Sequence, residues 1–348
     1  MKIMRRTRED ASRSCGWLRW RMLIVIALAI VDGQSAFAGE LLPGFTKGSQ
    51  FDEQVRWSVL ESGVRVHVNA PLAMTSERRV LVLFATPNGS TIEQTLGCKA
   101  AEGLDWHYDI QHVAAQTRLL RATDARTDYV LAVVQAPKLS WPAFRRDEPL
   151  AGKIIPELID SLTAEVKSTS VVLSCHSGGG SFLFGTINAR DTIPDTIQRI
   201  VFLDANYSYS DEDKHGDKLV AWLARDKNHR LVVIAYDDRE VVFNGKKAIG
   251  LDGGTFRATG RMTSRLGKDL QLTDSREGLF MHTRDPVGQV HCYVHTNPEN
   301  KILHTALVGE MNGLIHALTL GTQHEEQWGK FGGPRAYTEC VQAEPSKR

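Results

Sequence analysis

Six short apolar runs constrain what this 348-residue chain can become: Val80–Ala85, Tyr129–Gln135, Ser170–Ser174, Arg199–Leu203, Leu231–Tyr236 and Val290–His295. Unbroken Val, Leu and Ile runs of this length suit strands buried on both faces of a parallel sheet. Segments with helical spacing lie between them. Lys153–Val166 is the clearest, with Ile154, Ile155, Leu158, Ile159, Leu162 and Val166 recurring every three or four residues. His107–Ala122, Gly179–Ala189, Lys218–Asp226 and Thr305–Leu320 read the same way. Strands alternating with helices imply an α/β fold wound by right-handed crossovers. Ahead of these runs, Gln54–Glu61 and Val64–Ala70 alternate apolar and polar residues around Ser62-Gly63, a hairpin pattern. The expectation is eight strands, two antiparallel and six parallel. One interval breaks the rhythm. Residues 244–289 are Gly-rich and basic, with Arg257, Arg261, Arg265 and Lys268 at near-helical spacing. They read as an inserted lid before the last strand, or equally as a solvated helix face with a loop.

The N-terminus has a separate signature. Lys2 and six arginines precede ten apolar residues, Met22–Val31, and a small-residue stretch ends at Ala36-Phe37-Ala38. A basic region, a short apolar core and an A-x-A site mark a secretory signal peptide, so residues 1–38 are expected to be a leader and 39–348 a single domain. Ten apolar residues are short of the roughly 20 that a spanning helix needs. No other stretch is long and apolar enough, so no membrane association is expected after cleavage. The formal charge of +1 then averages two parts: the leader holds seven basic and three acidic residues, leaving 35 against 38, or −3, in the remainder. That balance excludes a globally basic nucleic-acid binder. Four cysteines remain, Cys98, Cys175, Cys292 and Cys340. In an oxidising compartment a Cys98–Cys340 bridge would tie the C-terminal tail to the loop after an early strand.

The third parallel run ends in Ser174-Cys175-His176-Ser177-Gly178-Gly179-Gly180, and a helical segment follows at once. A Ser on a very sharp strand-to-helix turn needs small residues two before and two after it, because backbones approach closely there. Cys175 and Gly179 hold those positions. Such a turn exposes the hydroxyl at a helix N-terminus, with the Gly178 amide aimed where an oxyanion would form. On these residues, and on the strand rhythm over about residues 54–320, the chain resembles the α/β-hydrolase superfamily, whose elbow is usually Gly-x-Ser-x-Gly. Cys175 replaces the first Gly.

The resemblance implies an α/β-hydrolase fold, an eight-stranded mostly parallel sheet with helices on both faces, and an exported serine hydrolase acting through an acyl-enzyme on Ser177. Carboxylic-ester hydrolysis is the expected activity. Peptidase, amidase or acyltransferase chemistry with the same residues, or a non-catalytic binding protein on this scaffold, are the alternatives. The second oxyanion donor would come from Asn88 or Gly89 in the loop Thr86–Thr91, since Pro87 has no amide hydrogen. Triad order is Ser, acid, His. The acid is Asp238 by position, with Asp237 and Asp204 as runners-up. The His is His304, with His295 and His316 as competitors.

Trp106, His107, Tyr108, Trp141, Tyr207 and Tyr209 follow strand C-terminal ends, where α/β proteins bind ligands, and could line a site for a small-molecule, saccharide or aryl ester. His291 and His295 share a strand face but lack a third ligand with diagnostic spacing. Asp211–Gly216 fails as a calcium loop and His324-Glu325-Glu326 as a zinc-protease helix. No phosphate-binding Gly-rich loop is present, and neither a cofactor nor a metal is expected.

Overall fold

The computed structural model describes residues 41–347. The leader read in residues 1–38 lies outside the described residues. The chain opens with three antiparallel strands, β1 (Thr46–Lys47), β2 (Glu53–Val59) and β3 (Arg65–Pro71). Gly63, at φ +79°, makes the turn between β2 and β3. Five strands then carry the apolar runs: β4 (Arg78–Ala85), β5 (Thr127–Gln135), β6 (Ser170–His176), β7 (Ile197–Leu203) and β8 (Arg230–Tyr236). A small separate hairpin follows, β9 (Val242–Phe243) with β10 (Lys246–Lys247). The last three strands are β11 (Thr273–Glu277), β12 (Phe280–Arg284) and β13 (Val290–His295). The helices are α1 (Ile92–Leu96), α2 (Val113–Thr123), α3 (Trp141–Asp147), α4 (Ala151–Glu165), α5 (Gly180–Asn188), α6 (His215–Arg225), α7 (Thr255–Leu266) and α8 (Gly313–Thr319).

All eight expected strands form, but the main sheet has eleven, in the order β1-β2-β3-β5-β4-β6-β7-β8-β13-β12-β11. It is mixed: β5, β4, β6, β7, β8 and β13 run parallel, with antiparallel strands at both edges. The count of eight is thereby corrected. The extra strands, β1, β11 and β12, lie at or next to the sheet's edges and carry little apolar signal. β11 reads Thr-Asp-Ser-Arg-Glu and is exposed at every residue. Hydrophobic periodicity cannot find a strand that buries nothing.

Alternate strand residues face two helical layers. Leu81, Leu83 and Ala85 join a core with residues of α3, α4, α5, α6 and α7. Val82 and Phe84 join a second core with residues of α1, α2 and α8. The winding changes direction between β4 and β6: from β4 the chain moves to β5 on one side, and from β6 to β7 on the other. Loops that diverge this way open a crevice at the strand C-terminal ends.

Two expectations change here. Thr305–Leu320 is not one helix. Residues 304–311 form turns and only Gly313–Thr319 is α-helical. Gly309 and Gly313 press against the carbonyls of Ile110 and Leu307, where a Cβ would collide. Within residues 244–289, one helix and two strands belong to the sheet and its cover. α7 buries Ala258, Met262 and Leu266 in the first core, and β11 and β12 widen the sheet. The arginine row of α7 has structural partners: Arg257 donates to the Gly250 and Gly253 carbonyls, and Arg265 pairs with Asp217 and Asp269. Cys98, Cys175, Cys292 and Cys340 are all free thiols, so the expected Cys98–Cys340 bridge is absent. The tail is still tied at that place, by a hydrogen bond from the Lys99 amide to the Gln342 carbonyl, 2.9 Å. Among the described residues no helix is long and apolar enough to cross a membrane.

Candidate active site

β6 ends at His176, and the chain turns through Ser177–Gly179 into α5 within three residues. Ser177 holds φ +52°. A non-Gly residue in this left-handed region costs about 1–2 kcal/mol, and such strain collects where a side chain must be aimed. The turn is wedged between neighbouring strand ends. A Cβ on Gly179 would collide with the Ala85 carbonyl oxygen, and one on Gly180 with that of Ala205. Gly178 lies against the Asn88 side chain with equally little room. The crevice between β4 and β6 is therefore where Ser177, Gly178 and Asn88 meet. Cys175, two residues before Ser177, is fully buried. Its Sγ lies 3.6 Å from the Val201 carbonyl, and burial pushes its thiol well above the usual range, which removes it as a nucleophile at neutral pH.

His304 sits in a loop beside this turn. Its Nδ1 pairs with Asp204 Oδ2 at 2.5 Å. Asp204 follows β7 and is 1% exposed. Two bonds, one buried and one partly buried, brace that loop. Gln111 Nε2 donates to His176 Nδ1 (3.1 Å), which leaves the His176 Nε2–H to donate to the His304 carbonyl (3.0 Å). Burial holds His176 well below the usual imidazole range, so it stays neutral and keeps this tautomer. The Tyr207 hydroxyl lies 3.4 Å from His304 Nδ1 and also bonds the Ser177 side chain. Among the described residues no hydrogen bond joins the Ser177 hydroxyl to His304.

The expected pairing of Asp238 with His304 is not present. Asp238 lies one step behind: its Oδ2 accepts from the Thr255 amide at 2.8 Å, and the Thr255 hydroxyl donates to Asp204 Oδ1. Burial, with the neighbouring Asp204 charge adding to it, raises the Asp238 pKa. Asp237 points elsewhere and pairs with Arg239 at 2.7 Å. Neither competitor histidine comes to Ser177. His295 accepts from the Asn297 amide, and His316 stacks on Phe331 in the core.

The loop after β4 departs from expectation in one residue. The Gly89 amide is spent on the Leu139 carbonyl, 2.9 Å, and is not free to bind an oxyanion. The Gly178 amide, at the start of a 3-10 turn, has no partner within it. Among the aromatics, Trp141 is corrected. It is 1% exposed and packs on Phe144 and Phe182, so it belongs to the core. Tyr209 is also buried, its hydroxyl on Asp211. Trp106 is 66% exposed and stacked on His107. With Tyr108 and Thr305, the residue after His304, it lines a cavity of about 310 Å³. Gln111 and Thr255 carried no signal in the sequence, because their partners lie 65 and 51 residues away. Among the described residues no group of three or more His, Cys, Asp or Glu is arranged to hold a metal.

Neither a protein-family model nor a curated protein matches this chain. Solved structures resemble it at low identity. A thermostable esterase aligns at 15% identity with a TM-score of 0.43, over 80% of this chain and 62% of that one. This chain thus spans less than two thirds of that esterase's length. The siderophore hydrolase EstB from Aspergillus nidulans aligns at 11% identity and 0.43, over 83% of this chain and 98% of its own. A feruloyl esterase module from Clostridium thermocellum, complexed with sinapinate, aligns at 9% identity and 0.43, over 81% and 98%.

Proposed function

We propose that this chain is an exported serine hydrolase of the α/β-hydrolase type that cleaves carboxylic esters, with Ser177 as nucleophile, His304 as base and Asp204 as the triad acid. The observation that carries this reading is the strained Ser177, φ +52°, beside an imidazole whose Nδ1 is held by a buried carboxylate. The pairing fixes the tautomer: with its Nδ1–H donated to Asp204, His304 presents Nε2 as the acceptor for the serine proton. Ser177 leaves Tyr207 and turns to His304 when substrate enters, a tightening common between free and occupied sites. Its oxygen attacks the acyl carbon, and the proton passes to His304 Nε2. The Gly178 amide and Asn88 receive the developing oxyanion. His304 then protonates the leaving alkoxide, and water repeats the sequence on the acyl-enzyme. The cavity beside Trp106, Tyr108 and Thr305 takes part of the ester. The exposed stretch 244–254 borders Asp238 and Thr255 and serves as a lid. The leader read in residues 1–38 supports export.

The test is covalent. A fluorophosphonate should label the wild-type chain at Ser177, and Ser177→Ala should lose both labelling and hydrolysis of p-nitrophenyl esters. Equal labelling of that variant would discard Ser177. A wild-type chain that neither labels nor hydrolyses esters would make this a binding protein on the same scaffold.

A further inference from the structure

A second cavity opens at the other end of the sheet. It has a volume of about 890 Å³ and is walled by the starts of β4, β5, β6, β7 and β8. Ser177 follows the last residue of β6, whereas Ser170, its first residue, lines this cavity. At about 3.3 Å per residue the two sites lie roughly 20 Å apart.

Four arginines face this space: Arg78, Arg126, Arg199 and Arg230. None forms an ion pair among the described residues. Arg199 is 7% exposed, and its guanidinium donates to the Ala317 and Leu320 carbonyls at the C-terminal end of α8, 2.7 and 2.9 Å. Backbone carbonyls supply partial charge only, so a buried cation is left without a full counter-charge. Arg230 donates one terminal nitrogen to the Lys227 and His229 carbonyls, while its Nε is buried with no partner. The side chains of Arg78 and Arg126 are exposed and make no hydrogen bond or ion pair among the described residues. Their charges are felt across the cavity: Arg230 and Arg78 both depress the Arg199 pKa, after burial. The one acid on the wall, Asp124, is engaged by the Tyr129 hydroxyl, the Arg126 amide and His324. Glu325, Asp226 and Asp285 act on these arginines only from a distance.

We propose that this cavity is a binding site for a phosphoryl-bearing anion, held by Arg78, Arg126 and Arg230 with Arg199 behind them. The donor set selects the class. Guanidinium forks bind oxyanions in pairs of parallel bonds. A planar carboxylate is satisfied by one such fork. Forks arriving from four separate strand ends suit an oxyanion with oxygens in several directions, as a phosphate or diphosphate has. Gln323 on the same wall adds a neutral side-chain amide, whereas the Thr322 hydroxyl is spent on the Thr319 carbonyl. The proposal stands apart from the hydrolase reading, because no residue is shared.

The experiment is calorimetric titration of the full chain with sodium pyrophosphate at low ionic strength, with citrate as the carboxylate comparison. Saturable binding of one pyrophosphate is expected, at least about tenfold tighter than citrate. The double variant Arg78→Gln/Arg126→Gln should weaken it at least about tenfold, since charge-assisted bonds are lost. Both side chains are exposed and unpartnered, so folding should survive. Phosphorus NMR of pyrophosphate with the wild-type chain gives a readout that needs no variant. Absence of saturable binding at millimolar pyrophosphate, citrate binding as tightly, or undiminished binding by the double variant would each overturn the proposal. Ester hydrolysis by the double variant should be unchanged, which keeps this outcome separate from the fate of Ser177.

Discussion

Asp204 and Asp238 are both nearly inaccessible, 1% and 2% exposed, and Thr255 links them, yet only Asp204 touches His304. Their replacement by Asn should therefore differ in kind. Asp204→Asn keeps the shape but loses the charge that holds the His304 tautomer, and kcat for a p-nitrophenyl ester should fall about 1,000- to 10,000-fold. Asp238→Asn removes a carboxylate already disfavoured by burial, and the fall should be about tenfold or less. The reverse order of effects would move the triad acid to Asp238. The sharp turn at Ser177 was legible in the sequence because a strand end followed by small residues is a local signal. Which carboxylate meets His304 was not. Asp204, Asp237 and Asp238 all follow neighbouring strands, and the choice depends on which strand end lies beneath one imidazole. Trp141 was misread for a similar reason: its place after a strand was visible, but its inward rotation onto Phe182 was not.

The turn after β6 holds together as an element because three successive glycines pass through a crowded gap between strand ends. Gly180 is the tightest of them, and a Cβ there meets the Ala205 carbonyl, part of the backbone immediately after Asp204. Backbone cannot yield as a flexible side chain can. Gly180→Ala should therefore push α5 from β7, destabilising the fold by about 3 kcal/mol or more. It should also displace Asp204 from His304. Urea denaturation and fluorophosphonate labelling together check this. A variant with wild-type midpoint and labelling would show that the wedge is loose. The same close packing explains which elements were readable. β4 to β8 bury both faces and announce themselves as apolar runs. The short β1 and the wholly exposed β11 do not, since their places are set by edge pairing.

At the scale of the whole molecule, several imidazoles are buried where a charge is costly, and this predicts acid lability. Burial pushes His67 and His215 each down to about 4, and holds His176 well below the ordinary range. In the unfolded chain the same groups titrate near 6.5. Between these values the unfolded state binds protons that the native state refuses, so stability rises with pH and is lost as pH falls. The contribution of these groups is fully present above about pH 6.5 and shrinks towards pH 4. His67 and His215 each remove about 1.4 kcal/mol per pH unit, or roughly 3 kcal/mol apiece by pH 4, within a total stability of about 5–15 kcal/mol for an ordinary domain. Carboxylates add to this further down. Burial alone would raise the Glu53 pKa, but Arg121 and Arg118 outweigh it and hold the carboxyl below its usual value, so its ion pairs are lost only at lower pH. The urea midpoint should thus drop steeply between pH 6.5 and 4, before those ion pairs titrate. His67 is the residue with which to test the cause. Its Nδ1 is buried without a partner and its ring packs on Trp57, centroids 4.4 Å apart, so His67→Phe keeps the packing and removes the titration. That variant should show a shallower pH slope over this window with little change at pH 8. A midpoint flat from pH 8 to pH 4, or a variant with the wild-type slope, would mean that these imidazoles do not set the acid limit of the fold.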